Sequence, residues 1–571
     1  MFDHLCVSCH NYSKIEYNSY GIVAEPLSGS NSRALASSTA TAARTSITNV
    51  LVSWNGYGMS LNGAEFSITD AQVTKNLGDG IAVLAADEVH IVSSQAKENN
   101  GYGMLLNSKL ITVMNGTASR NGRSGVVVLE ADEVHMEELT LEGNGFGVFS
   151  NPVATRDGMV LHGKMITVNN VFTAYNSGSG IDVLNADDLQ LNGVTAFQNI
   201  GNGLYLLSGK LINIMNSDLS SNILQNQLGA GLYVGHNADT LYLENVTASN
   251  MTGLYPFGMI LEGVDSIYAK NLVISNNAEL GISGPFIQKY ALFQNVTANG
   301  NKLGIYVDVG GDLDIEGLTA NDNTEDGLWV YTSGNISIEN AITSNNAESG
   351  LSLNRHGENI FIENATANNN LGPGLFINIF DRVNVTFAGD IIASGNSGNG
   401  IEIHGSSSDW ENPVKGQVTV EGDVTTDDNE LVGFLLNQTN VDVNVTLSTD
   451  DDATLEACGN NGFDIQNDNE NNGTGTFLPE SLVGYTCDNE ITCANACLDP
   501  AEIFERHLKS PAVSPNTNAI YATELTSTEY SKQAELERQK VVAEEVYKKK
   551  MQMLEELRAE LANLIEVSTK L

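Results

Sequence analysis

Apolar and polar residues alternate along most of this chain in short bursts, and the bursts recur. A glycine opens each round, followed by an apolar-rich segment such as "GIAVL" (80–84), "GLYLL" (203–207), "GLWVY" (327–331) or "GLFIN" (374–378). A loop leads to a second alternating segment ("HIVSS", "ITVNN", "FIENA"). A turn residue then precedes a third, shorter burst ("VTA", "ATA"), and Asn-rich sequence returns to the next glycine. Alternation with period two predicts half-buried strands. The glycines run Gly58, Gly80, Gly103, Gly125, Gly158, Gly180, Gly203, Gly231, Gly258, Gly281, Gly304, Gly327, Gly350, Gly374 and Gly400, most of them 22 to 24 residues apart. Three strands in that space leave no room for a helix, so each repeat predicts one coil of a parallel β-helix. A coil cannot bury its apolar face alone, and stacking makes the core continuous. The pattern predicts an all-β solenoid of about 15–17 coils over residues 46–475.

A second column fixes the register. Asn49, Asn115, Asn170, Asn192, Asn216, Asn245, Asn271, Asn295, Asn340 and Asn364 fall between the second and third strands, with Asp70, Ser94 and Gly317 at matching positions. Asparagine tolerates the left-handed backbone region, and its amide bonds to a like amide one coil away, so the column reads as a ladder. Asn345 and Asn346 read as turn formers. The ladder would occupy the sequon residues Asn115, Asn245, Asn295 and Asn364. Asn250, Asn335, Asn384, Asn437 and Asn472 are the better glycosylation candidates in a secreted protein.

The columns in "NNAESGLSL" and "IENATA" resemble the right-handed parallel β-helix repeats of the pectate-lyase-like superfold, over about residues 45–475. The resemblance implies right-handed coiling. It implies no single activity, because that superfold includes lyases, hydrolases, epimerases and non-catalytic adhesive rods. The Gly-His-Gly of polygalacturonases, the Arg-x-Pro-x-x-Arg of pectate lyases and the Asp-Pro-His of mannuronan epimerases do not occur in this sequence.

The ends differ from the repeats. Residues 1–45 form a Cys-containing segment and a small-residue linker, 476–500 a Cys-rich cap, 501–528 a second linker, and 529–571 an amphipathic α-helix. Leu536, Ala543, Tyr547, Leu554, Leu557, Leu561 and Leu564 share one heptad seam, interrupted by Lys550. The stripe fits a short coiled coil, hence self-association, or a helix docked on the solenoid. "CVSCH" (6–10) has the c-type haem spacing, but without an axial partner or an enclosing helical domain it reads as a disulfide or metal contact. Cys458, Cys487, Cys493 and Cys497 read as a disulfide-stapled cap over the last coil's edge.

Charge narrows the partners. The chain carries 70 acidic and 27 basic side chains, a net −43, with nearly all the imbalance before residue 501. Such a surface repels nucleic acid and anionic lipid, and accepts cations and neutral sugars. No 18-residue apolar run offers a membrane-spanning helix. The N-terminus lacks the basic start and apolar stretch of a secretory signal. The Asn-rich solenoid with paired cysteines nonetheless reads as extracellular or cell-surface. No cofactor is required; calcium is the candidate ion. Asp468, Glu470 and Asn472 begin like a calcium loop, although Pro479 stands where an EF-hand places glutamate. Asp87, Asp132, Asp187, Asp239 and Asp265 each open a second strand, where cations or turn capping would offset their repulsion.

Chemistry is expected on the outward side of the post-glycine strand, at its second and fourth residues. The second-residue column places Tyr205, Tyr233, Tyr306, Trp329 and Phe376 on an exposed strip suited to sugar rings, beside longer turns before Gly158, Gly231 and Gly258. Glu262 and Asp308, two coils or about 10 Å apart, are the candidate catalytic carboxylates, with Arg355 and His356 nearby. Three functions follow. The first is a non-catalytic β-helix that binds glycans or serves as an adhesive rod. The second is a carbohydrate-active lyase, epimerase or hydrolase, and the third a filament subunit assembled through the C-terminal helix.

Overall fold

The computed structural model describes residues 13–16, 20–24, 44–146, 156–235, 237–355, 359–380, 384–406, 414–439, 441–447, 454–457, 460, 465–470 and 491–492. They form a parallel β-solenoid of about 15 turns, in two compact units within Met1–Pro256 and Phe257–Val541. The helix expected at 529–571, the cap at 476–500 (apart from the short strand Ile491–Thr492) and the linker at 501–528 lie outside the described residues, as does most of 1–45.

Strands pair with their counterparts one coil away. In the first unit, Ile81 of strand Ile81–Val92 faces Met104 of Met104–Met114, which faces Val126 of Val126–Val128. In the second, Leu328, Leu351, Leu375 and Ile401 stand in one column. The second and third strands alternate as their sequences predict: Glu65–Thr69 and Thr195–Phe197 bury every other side chain. The post-glycine strands do not alternate. Val126–Val128 and Leu204–Leu206 bury every residue, on both faces.

The asparagines form two systems, and the stronger one is not the one read from the turns. Asn55, Asn76, Asn99, Asn121, Asn144, Asn176, Asn199 and Asn222 line the interior of the first unit. Each donates Nδ2 to the next Oδ1 at 2.8–3.3 Å. In the second unit a like ladder runs from Asn277 through Asn301, Asn323, Asn346, Asn370, Asn396 and Asn429 to Asn460, the Asn301–Asn323 step being made by the Asn301 backbone N–H. Asn346 therefore belongs to a buried ladder, and only Asn345, at φ 59, shapes the turn. The repeating glycine follows from this ladder. A Cβ on Gly80 would sit 2.7 Å from Asn99 Nδ2 and 2.6 Å from the Gly103 carbonyl. Most ladder asparagines stand four residues before a repeat glycine, as in Asn76–Gly80 and Asn346–Gly350.

The other column is the exposed left-handed turn between the second and third strands, including Asn49, Asn115, Asn216, Asn295 and Asn364. Two of its members need correction. Ser93, at φ 50, holds the position assigned to Ser94, and Gly193, at φ 67, the one assigned to Asn192. Its amides do pair along the surface, Asn295 to Asn271 at 3.1 Å and Asn364 to Asn340 at 3.3 Å.

The acidic column carries its own counter-ions. Register places Asp87, Lys109, Asp132, Lys164, Asp187 and Lys210 one above another, with Lys–Asp contacts of 2.7, 2.6 and 2.8 Å. Lys289 meets Asp265 in the same way in the second unit.

Candidate functional site

The strip expected to be exposed is buried. Tyr205, Tyr233, Tyr306, Trp329 and Phe376 are 2–7% exposed. They do align between coils: Tyr205 stacks on Tyr233 at 4.8 Å and 18° in the first unit, and Tyr306 meets Trp329 at 5.0 Å in the second. The column is a second apolar layer over the outer face of the strand. The signal was in the sequence. Runs such as "IAVL", "VVVL" and "LYLL" are almost continuously apolar, as in parallel strands covered on both faces. Tyr331, in strand Leu328–Thr332, is the ring on this face that is exposed by a third or more among the described residues; other exposed aromatics, among them Trp54, Tyr57, Phe172, Tyr175 and Tyr242, lie away from it.

Polar members of this face include Asp182, buried in register with Tyr205, and His162 in the first unit, and they gather in two columns of the second unit. Asp308 pairs in register with Tyr331, then Asn354, Asn378 and His404. Tyr306, Trp329, Ser352, Phe376 and Glu402 form the column beside it. Glu262 is 3% exposed. Asp308 is half-buried, and that burial raises its carboxyl above the usual range. Burial, then the charge of Asp308, raises the Tyr306 hydroxyl well above its ordinary value. Arg355 ends strand Leu351–Arg355 between Thr332 and Ile379; its side chain and His356 lie outside the described residues.

A group that sequence reasoning did not nominate stands at the far end of these columns. His404 Nε2 and Glu402 Oε1 are 2.5 Å apart, and Asn399 Nδ2 donates to Glu402 Oε2 at 2.7 Å. The His404 ring lies 5.2 Å from Phe376. Burial opposes ionisation of Glu402, but His404 and Asn399 outweigh it and hold the carboxyl below its usual range. The signal was the "IEIH" alternation, which puts both residues on one face.

The remaining candidates separate. Asp468 and Glu470 lie in strand Ile465–Glu470, opposite Asn437 and Thr439; their side chains, Asn472, Cys458, Cys487, Cys493 and Cys497 lie outside the description. Asn250 is exposed at φ 59. Asn335 and Asn384 are exposed but bonded: Asn384 Nδ2 donates to Asn359, Asn359 to Asn335, and Asn335 to Asp312, at 3.0–3.1 Å. Asn437 lies in strand Phe434–Thr439, its side chain outside the description.

A family model described as a right-handed β-helix region matches residues 10–151 and 287–451, more than half of the 571 residues. Neither a curated protein nor a solved structure matches the chain.

Proposed function

Since the chain belongs to the right-handed β-helix family, a fold that fixes no chemistry by itself, we propose that it is a non-catalytic structural or adhesive solenoid. We place it at the cell surface or outside the cell, meeting its partners through exposed turns. One observation supports this reading over a sugar-binding groove. The five aromatics expected to stack on sugar rings are at most 7% exposed, so none of the five offers a ring face to a ligand, and Tyr331, at 36%, does not make a strip by itself. Glycan contact, where it occurs, then falls to Tyr331 and to the exposed aromatics and amides of the turns. The test is a glycan array run with Trp329→Phe beside the parent, together with reducing-end and unsaturated-product assays on polysaccharides. The reading expects no turnover and no glycan signal that depends on Trp329. Turnover abolished by Glu262→Gln or Asp308→Asn would overturn it.

A carbohydrate-active enzyme is the second reading, favoured by Asp308. A half-buried carboxyl held above its usual range is what a general acid requires.

A further inference from the structure

The second strands of the first unit carry a cluster that neither reading uses. Glu65 opens strand Glu65–Thr69 and faces Glu88 of strand Ile81–Val92 in register. His90 stands two residues after Glu88, on the same outward face. All three are half-buried, and a carboxylate oxygen of each glutamate and a ring nitrogen of His90 lie within 4.8 Å of one another. Carboxylates stacked directly across paired strands repel each other. Here Arg44 Nε holds Glu65 Oε1 at 3.0 Å from one side, and His90 Nε2 meets Glu88 Oε1 at 2.6 Å from the other.

We propose that Glu65, Glu88 and His90 form a three-ligand site for a divalent transition metal of the zinc class. One imidazole nitrogen and two carboxylate oxygens are borderline ligands suited to such ions, and three protein ligands leave a fourth position for water or an exogenous group. Ligand atoms around a tetrahedral zinc ion stand about 3.4 Å apart, given bonds of about 2.1 Å. Side-chain rotation alone therefore closes the present cluster on an ion. The Glu88–His90 contact opens to admit it, while Glu65 keeps one oxygen for Arg44 and offers the other. Both backbones are fixed by the ladder, so the ligands are placed before the metal arrives.

The chain supplies its own control. The stretch "ADEVH" occurs twice, at 86–90 and 131–135. Glu133 and His135 repeat the Glu-x-His spacing on their strand, but the register partners of Glu133 are Leu110 and Met165. The second copy thus lacks the carboxylate that Glu65 provides to the first.

The experiment titrates the full chain, its six cysteines first alkylated, with Zn²⁺ by calorimetry, and with Co²⁺ by visible absorption. One ion should bind per chain. His90→Gln, Glu65→Gln and Glu88→Gln should each weaken binding by at least about tenfold and remove the tetrahedral Co²⁺ bands. His135→Gln should match the parent in both readouts, and all four variants should keep the parent's circular dichroism. Binding that survives His90→Gln, or falls equally in His135→Gln, overturns the proposal. So does a parent that binds no more ions than the Glu65→Gln/Glu88→Gln/His90→Gln variant.

Discussion

Removing one amide from the buried ladder should cost far more than removing one from the exposed turn. Asn346 is 1% exposed. Its Oδ1 accepts from the Asn323 backbone N–H and from Asn323 Nδ2, both at 3.0 Å, and its Nδ2 donates to the Ala320 carbonyl at 3.0 Å and Asn370 Oδ1 at 3.1 Å. Asn346→Ala orphans two buried donors, each worth about 1–3 kcal/mol, for a loss of about 2–6 kcal/mol. A water entering the vacated space would keep the loss near the lower end. Asn364 is exposed at φ 51; its Nδ2 donates to Asn340 Oδ1 at 3.3 Å and its Oδ1 accepts from the Asp390 backbone N–H at 3.1 Å. Water replaces its bonds, leaving chiefly the left-handed strain, so Asn364→Ala should cost about 1 kcal/mol. Long repeat arrays depart from two-state unfolding, so thermal midpoints should be read beside hydrogen exchange over residues 320–350, which reports local opening. Equal losses in the two variants, or a change within about 0.5 kcal/mol for Asn346→Ala as for an ordinary surface site, would refute a stabilising buried ladder. Asn346→Asp adds a pH signature. The second carboxylate oxygen would face the Ala320 carbonyl and Asn370 Oδ1, so burial and repulsion raise its folded pKa. Its defect should be greatest at neutral pH and shrink on acidification, as the protonated acid regains a donor.

Three further outcomes follow from the same register. Asp132 is held below the usual carboxylate range by its bond to Lys164, then by the charges of Lys164 and Lys109. That contribution is present above the ordinary carboxylate pKa and lost as pH falls through the folded value. The difference in melting temperature between the parent and Lys164→Gln should therefore vanish in acid and shrink in salt; a difference indifferent to both would refute the pairing. Glu316, Glu339 and Glu363 stack directly in register, so Glu339→Gln should stabilise by about a few tenths of a kcal/mol, again less in salt, as thermal melts would show. Trp329→Ala should destabilise by about 3–5 kcal/mol, measured by calorimetry; a variant as stable as the parent would mean that the ring is not part of a packed layer.

The repeat was legible because each coil obeys the same local constraint. The spacing of Gly80, Gly103 and Gly125, with alternating segments between, is enough to place three strands per coil, and the structure keeps that register. Left-handed turns were legible for the same reason: Asn49, Asn295 and Asn340 recur where only a few residue types relax. Periodicity reports which side of a strand a residue occupies. It does not report what covers that side. Tyr205 and Trp329 were therefore assigned to the outward face and mistaken for exposed, although the unbroken apolar run around Tyr205 argued for a covered strand. The same limit explains the exchange of ladder and turn. Asn345 and Asn346 are adjacent and chemically identical, so composition cannot tell the strained residue from the buried one. Their distance from Gly350 can, because most ladder asparagines stand four residues before a repeat glycine, and at Gly350 the Thr343 and Gly374 carbonyls, 2.6 and 2.7 Å from an added Cβ, leave no room for a side chain. The pairing of Lys109 with Asp87 was hidden for a related reason. The two residues are 22 apart in sequence, and only an in-register stack turns that interval into contact. Chemistry specific to this chain should accordingly be sought where one coil departs from its neighbours, as Glu65 beside Glu88 departs from Leu110 beside Glu133.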